Sequence, residues 1–272
     1  MEIFSSIFLG AVQGLTEFLP VSSSGHLVIF RDILQLKIAD SLSFDVILHL
    51  GTLAALLYFF HKDIISYLKA FLNSLAKWDL KNNLDQKIAW LILISTFPTA
   101  LAGFFLEDII ENIFRQPFLV ALVLFSFSFT FFIAEWYSKQ NKDFSSLTWQ
   151  KSLVLGFAQA LALIPGVSRS GITIATGMFY NLKREIAARF SFLMAIPVVA
   201  GAGAKKIIDL GKIGMADDEK WFYVFGFFTS AIVGYFCIKY FLAFLKKHSL
   251  NWFAAYRIIL SLVILIYIFV KQ

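Results

Sequence analysis

The sequence predicts an all-α polytopic membrane protein, with six transmembrane helices plus two re-entrant helical hairpins in an inverted-topology repeat. Three observations predict it. First, 59% of the 272 residues are apolar or aromatic, including 32 Phe. Exchanging the 9 Tyr for the 15 Gly to match the usual reference set gives about 61%, against roughly 45–50% in soluble domains, while charged residues are only 15%, against roughly 25%. Second, apolar segments long enough to cross roughly 30 Å of hydrocarbon recur along the chain. Third, two apolar segments break at matching Pro/Ser/Gly clusters. This composition excludes a disordered chain, a nucleic-acid-binding module and an ordinary cytosolic enzyme. The net charge of +6 is read as loop cations that bias orientation and attract anionic headgroups, so no nucleic-acid partner is expected.

In chain order, the first apolar segment spans 3–19 and runs into Pro20-Val21-Ser22-Ser23-Ser24-Gly25. It contains Glu17 and no small-residue cleavage pattern, so it is read as a retained segment rather than a signal peptide. Spans are expected at 43–60, 88–106 and 117–137, followed by a polar linker over 138–150. The second broken segment, 151–164, ends in Pro165-Gly166-Val167-Ser168-Arg169-Ser170-Gly171. Further spans follow at 187–204, 222–245 and 252–270. The broken clusters cannot lie in lipid, because their backbone groups would lack partners there; they are expected to be buried in protein or to line a cavity.

Laying Gly10–Gly25 over Gly156–Gly171 without a gap matches seven of sixteen positions: Gly10/Gly156, Gln13/Gln159, Leu15/Leu161, Val21/Val167, Ser22/Ser168, Ser24/Ser170 and Gly25/Gly171. The chain thus reads as one membrane domain of two repeats, 1–137 and 151–272. Three spans per half force the second to enter from the opposite side, so the broken helices should meet near the midplane. One side would carry Lys62, Lys69, Lys77, Lys81, Lys87, Lys139, Lys142, Lys151, Lys183, Arg184, Lys246 and Lys247. The other would carry Arg31, Lys37, Arg115, Lys205, Lys206, Lys212, Lys220 and Lys271. The positive-inside rule makes the richer side cytoplasmic and both termini external.

Ionisable residues in apolar spans are costly and therefore candidates for function. Glu17, His26, Asp45, His49, Glu135, Arg169 and Arg189 are read in this way. Two Ser-rich helix starts would present unpaired N–H groups and partial positive charge to an anion, and the Arg169 fork suits phosphate oxygens. Ser22, Ser23 and Ser24 offer nucleophiles, His26 a proton carrier, and Glu17 a base or a ligand for Mg²⁺ or Ca²⁺. Gln13 lies one helical turn before Glu17 and can face the same cavity. Plainer readings stand beside these. Ser22 and Ser168 serve as helix N-caps, Arg169 neutralises Glu17, Asp45 and His49 form an i, i+4 pair, and Glu135 and Arg189 snorkel at span ends. Cys237 is read as a packing residue.

The stretch Gln13-Gly14-Leu15-Thr16-Glu17-Phe18-Leu19-Pro20-Val21-Ser22-Ser23-Ser24-Gly25-His26 and the later Pro165-Gly166-Val167-Ser168-Arg169-Ser170-Gly171-Ile172-Thr173 resemble the two signature regions of the bacterial undecaprenyl-diphosphate phosphatases, also called bacitracin resistance proteins. The resemblance covers essentially the whole chain. It implies hydrolysis of undecaprenyl diphosphate to the monophosphate carrier used in peptidoglycan synthesis, a divalent-cation requirement, an inner-membrane location and a site facing the periplasm. By position, Glu17 falls on the family's essential acidic residue, Ser23 on its proposed nucleophile, His26 on its catalytic histidine and Arg169 on its phosphate-binding arginine. Ser168, Ser170 and Thr173 fall on supporting hydroxyls. Gln13 stands where many members place a Glu, and His49 where Gln is common. The sequence leaves open whether Ser23 or His26 attacks and whether the chain forms a homodimer. The rival reading is a lipid-phosphate or anion transporter without hydrolysis, which the broken-helix architecture would equally serve.

Overall fold

A computed structural model describes residues 2–34, 41–114, 116–213 and 220–271. The chain is helical, and among the described residues an isolated bridge between Lys142 and Leu182 is the sole β-type pairing. The helices are α1 (Glu2–Thr16), α2 (Ser23–Leu34), α3 (Ser41–Phe59), α4 (His61–Ala76), α5 (Leu84–Phe114), α6 (Pro117–Tyr137), α7 (Trp149–Leu161), α8 (Arg169–Phe179), α9 (Arg184–Ile213), α10 (Lys220–Leu245) and α11 (Asn251–Lys271). Among the described residues, five are long and apolar enough to cross a membrane: α5, α6, α9, α10 and α11.

The expected span at 43–60 differs. It is α3, and at Phe60 the chain bends by 79° into α4, giving a sixth crossing only if the pair counts as one broken span. The charge run His61-Lys62-Asp63 explains the bend, since a straight continuation would carry it along the apolar path of α3. Apolar residues of α4, among them Ile65, Leu68 and Leu72, stay exposed, as in a helix lying along a membrane interface. Of the cations used for orientation, Lys37 and Arg115, with the side chains of Arg31, Lys205, Lys206, Lys212 and Lys271, lie outside the described residues.

α6 illustrates how these helices pack. Pro117 opens it at a position where its missing N–H costs nothing, and Val120, Ala121, Leu124, Ser128, Phe131 and Ala134 form the buried stripe. Its remaining faces, including Leu122, Phe129 and Ile133, are apolar yet exposed, which suits lipid rather than water. Small residues set the closest approach elsewhere. Gly10 and Gly14 of α1 lie on Gly226, Ser230 and Gly234 of α10, where a Cβ at either would stand 2.8 Å from a backbone oxygen. Gly156 of α7 presses in the same way on Ser95 and Pro98 of α5.

The linker is ordered by local bonds. Asp143 accepts from the Ser145 hydroxyl at 2.6 Å and its amide at 3.0 Å, which holds its carboxyl below the ordinary range. At the bundle core, Phe18, Phe60, Phe131, Phe190 and Phe192 are buried together. Phe18 directly follows Glu17, so the site is anchored to this core.

Candidate functional site

The two broken segments meet. Ser22 Oγ accepts from the Gly166 amide at 3.2 Å, and Ser170 Oγ donates to the Leu19 carbonyl at 3.1 Å. Between them lies a cavity of about 230 Å³, lined by Thr16, Glu17, Ser22, Ser23, Ser24, His49, Ala162, Leu163, Ser168, Arg169 and Val199. The helix starts of α2 at Ser23 and of α8 at Arg169 both open on it. Each contributes first-turn N–H groups and the positive end of its dipole.

The turns are built alike. Ser22 and Ser168 both hold φ of 73°, in the left-handed region that non-glycine residues rarely occupy. Ser22 Oγ accepts from the Gly25 amide at 3.4 Å and Ser168 Oγ from the Gly171 amide at 3.2 Å, so each strained serine caps the helix it precedes. Non-glycine residues in such conformations cluster where function fixes the backbone. Gly166, at φ 100°, could not be replaced freely, because an added Cβ would stand 2.7 Å from the Val120 carbonyl.

Glu17 organises the polar groups. Its Oε2 accepts from Ser23 Oγ at 2.6 Å and from Gln13 Nε2 at 3.0 Å, and its Oε1 pairs with Arg169 Nη2. His49 Nε2 lies 3.5 Å from Oε2, while His49 Nδ1 donates to the Asp45 backbone carbonyl at 2.7 Å. The i, i+4 relation between Asp45 and His49 is therefore, on the His49 side, a bond to main chain that turns the imidazole toward Glu17. Arg169 Nη1 and Gln13 Oε1 are buried without a partner. A phosphate oxygen would satisfy the first, and a hard cation or a hydrogen-bond donor the second.

Other sequence candidates lie behind the cavity. His26 is buried, with Nδ1 donating to the Ser22 carbonyl at 2.8 Å and Nε2 hydrogen-bonded to the Tyr256 hydroxyl at 2.8 Å. A carbonyl only accepts, so Nδ1 carries a hydrogen and holds the ring on the turn. His26 is not among the cavity-lining residues. Ser170 is turned to the Leu19 carbonyl, and Thr173 Oγ1 donates to the Arg169 carbonyl at 2.7 Å and lies 2.6 Å from Ser191 Oγ. They brace the turn from behind.

Glu135 does not snorkel. It is held by Arg184 Nε at 2.8 Å, Arg184 Nη2 at 2.5 Å and the Leu250 amide at 2.7 Å, tying α6, α9 and the start of α11 together. Arg189 pairs with Asp63 at 3.0 Å and lies over the Phe60 ring. Cys237 is buried, its thiol donating to the Leu15 carbonyl at 3.3 Å. Sequence reasoning missed Tyr256 and Arg257. For Arg257 the signal was present, an ionisable residue inside the apolar segment 252–270. Its guanidinium is fully buried and reaches backbone of both turns.

Comparison with known proteins supplies the family. Residues 6–263 match the family described as bacitracin resistance protein BacA. The chain is 43% identical over 262 residues to a Rubrobacter xylanophilus protein, covering 96% of each chain. It is 45% identical over 261 residues to a Corynebacterium striatum protein, covering 95% of this chain and 92% of the relative. A Methanosphaera stadtmanae protein is 40% identical over 275 residues, covering 98% of each. All three relatives bear the name Undecaprenyl-diphosphatase. The chain belongs to the bacitracin resistance protein BacA family.

Proposed function

We propose that this protein is an integral membrane phosphatase that hydrolyses undecaprenyl diphosphate to undecaprenyl phosphate and inorganic phosphate, recycling the lipid carrier for peptidoglycan synthesis. The observation that carries the reading is one cavity holding a hydroxyl on a carboxylate, Ser23 Oγ to Glu17 Oε2 at 2.6 Å, beside a buried guanidinium nitrogen, Arg169 Nη1, without a partner. A pure carrier needs the cation and not the hydroxyl–carboxylate pair.

In this mechanism the prenyl tail stays in lipid and the diphosphate enters the cavity. Arg169 Nη1 and the first-turn amides of α2 and α8 bind the phosphate oxygens. Ser23 Oγ attacks the terminal phosphorus, its proton passes to Glu17, and the bridging P–O bond breaks to release undecaprenyl phosphate. Water then attacks the phosphoserine phosphorus, the bond from phosphorus to Ser23 Oγ breaks, and Glu17 returns its proton to Oγ, which releases inorganic phosphate and restores both the hydroxyl and the carboxylate. His49 faces Glu17 and tunes the charge there, while His26 holds the Ser22 carbonyl and so supports the turn. Most of the acceleration comes from positioning and charge stabilisation.

The cation implied by the family fits this donor set. Among the described residues no three His, Cys, Asp or Glu side chains group as a cage. Glu17 and the unpartnered Gln13 Oε1 are oxygen donors suited to Mg²⁺ or Ca²⁺ held jointly with substrate phosphates. When bound, such an ion would neutralise phosphate charge.

The reading also keeps six transmembrane helices plus two re-entrant hairpins as an inverted repeat, with halves 1–137 and 151–272. Equal φ at Ser22 and Ser168, equal caps, and Gly10 and Gly156 each pressed on a neighbouring helix support it. Placement in a bacterial inner membrane, with the site toward the periplasm and the termini outside, rests on the family and the lysine distribution. Phosphate release from undecaprenyl diphosphate by purified protein in detergent tests the proposal. Release should stop with Ser23→Ala and fall with chelation. Lipid flux in liposomes without released phosphate would replace it with the transporter reading.

A further inference from the structure

Arg257 lies on α11, far in sequence from both turns, and its side chain is fully buried. Among the described residues it makes no ion pair, so its charge is compensated by neutral acceptors alone. A guanidinium buried in this way is strongly unfavourable unless its N–H groups are used, and here they are. Nε donates to Ser128 Oγ at 3.1 Å. Nη1 donates to the carbonyls of Val167 at 3.1 Å and Pro20 at 3.4 Å, and Nη2 to those of Gly166 at 2.9 Å and Leu124 at 3.3 Å. Its face rests 5.1 Å from the Phe131 ring centroid.

The acceptors fall on both sides of the site. Pro20 precedes Ser23 by three residues, and Gly166 and Val167 precede Arg169 by three and two. The turns are also joined at the cavity side, by the Gly166 amide to Ser22, by Ser170 to the Leu19 carbonyl and by the Glu17–Arg169 ion pair. Arg257 adds charge-assisted bonds to each turn from one rigid planar group, a geometry that lysine cannot copy. It does not line the cavity and touches no reacting atom.

We infer that Arg257 is a positioning residue: it ties the two turns from behind and sets how Ser23 stands against the phosphate bound by Arg169. The inference rests on the phosphatase reading. Loosening the tie should spoil alignment more than binding, because Arg169 and the helix-start amides are untouched.

The test uses the full chain in detergent micelles, with phosphate release measured against undecaprenyl diphosphate concentration for Arg257→Lys and Arg257→Met, and thermal melting alongside. The Lys variant keeps the charge and the Met variant most of the volume. The expectation for both is kcat lower by about 100-fold, with KM within about threefold and a folded protein. Parent-like kcat in Arg257→Lys would overturn the role, as would loss of kcat accompanied by a matching rise in KM and a collapsed melting transition. If neither variant folds, Ser128→Ala decides. It removes only the Nε acceptor and should lower kcat about threefold to tenfold with KM kept, so no change in kcat would overturn the role. Phosphate release by Ser23→Ala at the parent rate would sink the phosphatase site itself. An inactive Ser23→Ala beside a fully active Arg257→Lys would sink only the positioning role.

Discussion

The two serine-rich turns share a frame and divide the chemistry. Each begins with a serine at φ 73° that caps the following helix, and each ends on a glycine whose amide that serine accepts. At the positions that differ, the first carries Glu17, Ser23 and His26, and the second Leu163, Arg169 and Ile172. The backbone N–H groups of both ends can serve an anion equally, since that property belongs to a helix start. In the proposed mechanism, nucleophile and base sit on one turn and the cation on the other. A duplicated scaffold would thus supply general anion affinity, and a few unequal side chains would convert it into a directed reaction.

The sharpest way to break this comparison is to remove the proposed nucleophile. Ser23→Ala should lower turnover on the order of 10⁴-fold or more in a phosphate-release assay while the protein stays folded, as expected when a nucleophile is lost. Next in size, Arg169→Lys keeps the charge but loses the fork and should cost on the order of 10²- to 10³-fold in kcat/KM. The matched glutamines sharpen the contrast, since Gln13 and Gln159 both leave a buried Oε1 without a partner. Gln13 Nε2 serves Glu17, whereas Gln159 Nε2 serves Thr99. Gln13→Leu should therefore reduce kcat about tenfold, and Gln159→Leu should leave it within about twofold while shifting the melting temperature. Gly166→Ala is read through stability. Its positive φ and the Val120 carbonyl should cost about 1–3 kcal/mol of stability, measured as a lower melting midpoint.

Much of the fold was legible because hydrocarbon length is a hard constraint. Pro117–Tyr137 falls on the expected segment 117–137, and 222–245 and 252–270 lie within α10 and α11. The turn at Phe60 was not, because the sequence gives an apolar run followed by charges and does not say whether the helix ends or folds over. In the site, Glu17, Ser23 and Arg169 were legible as costly or reactive groups beside broken helices. The directions of His26, Ser170 and Thr173 were not, since side-chain direction at a turn depends on neighbours brought from α11, the other turn and α9 respectively.

The sequence by itself determined a helical membrane chain, two interrupted segments of one pattern, and the residue types able to handle phosphate, because composition, length and periodicity act locally. Only the tertiary structure decided that the turns touch, that Glu17 accepts from Ser23, that Arg169 keeps one nitrogen unpaired, and that Arg257 ties both turns. Those facts depend on groups up to 237 residues apart, which meet through packing that no local pattern encodes.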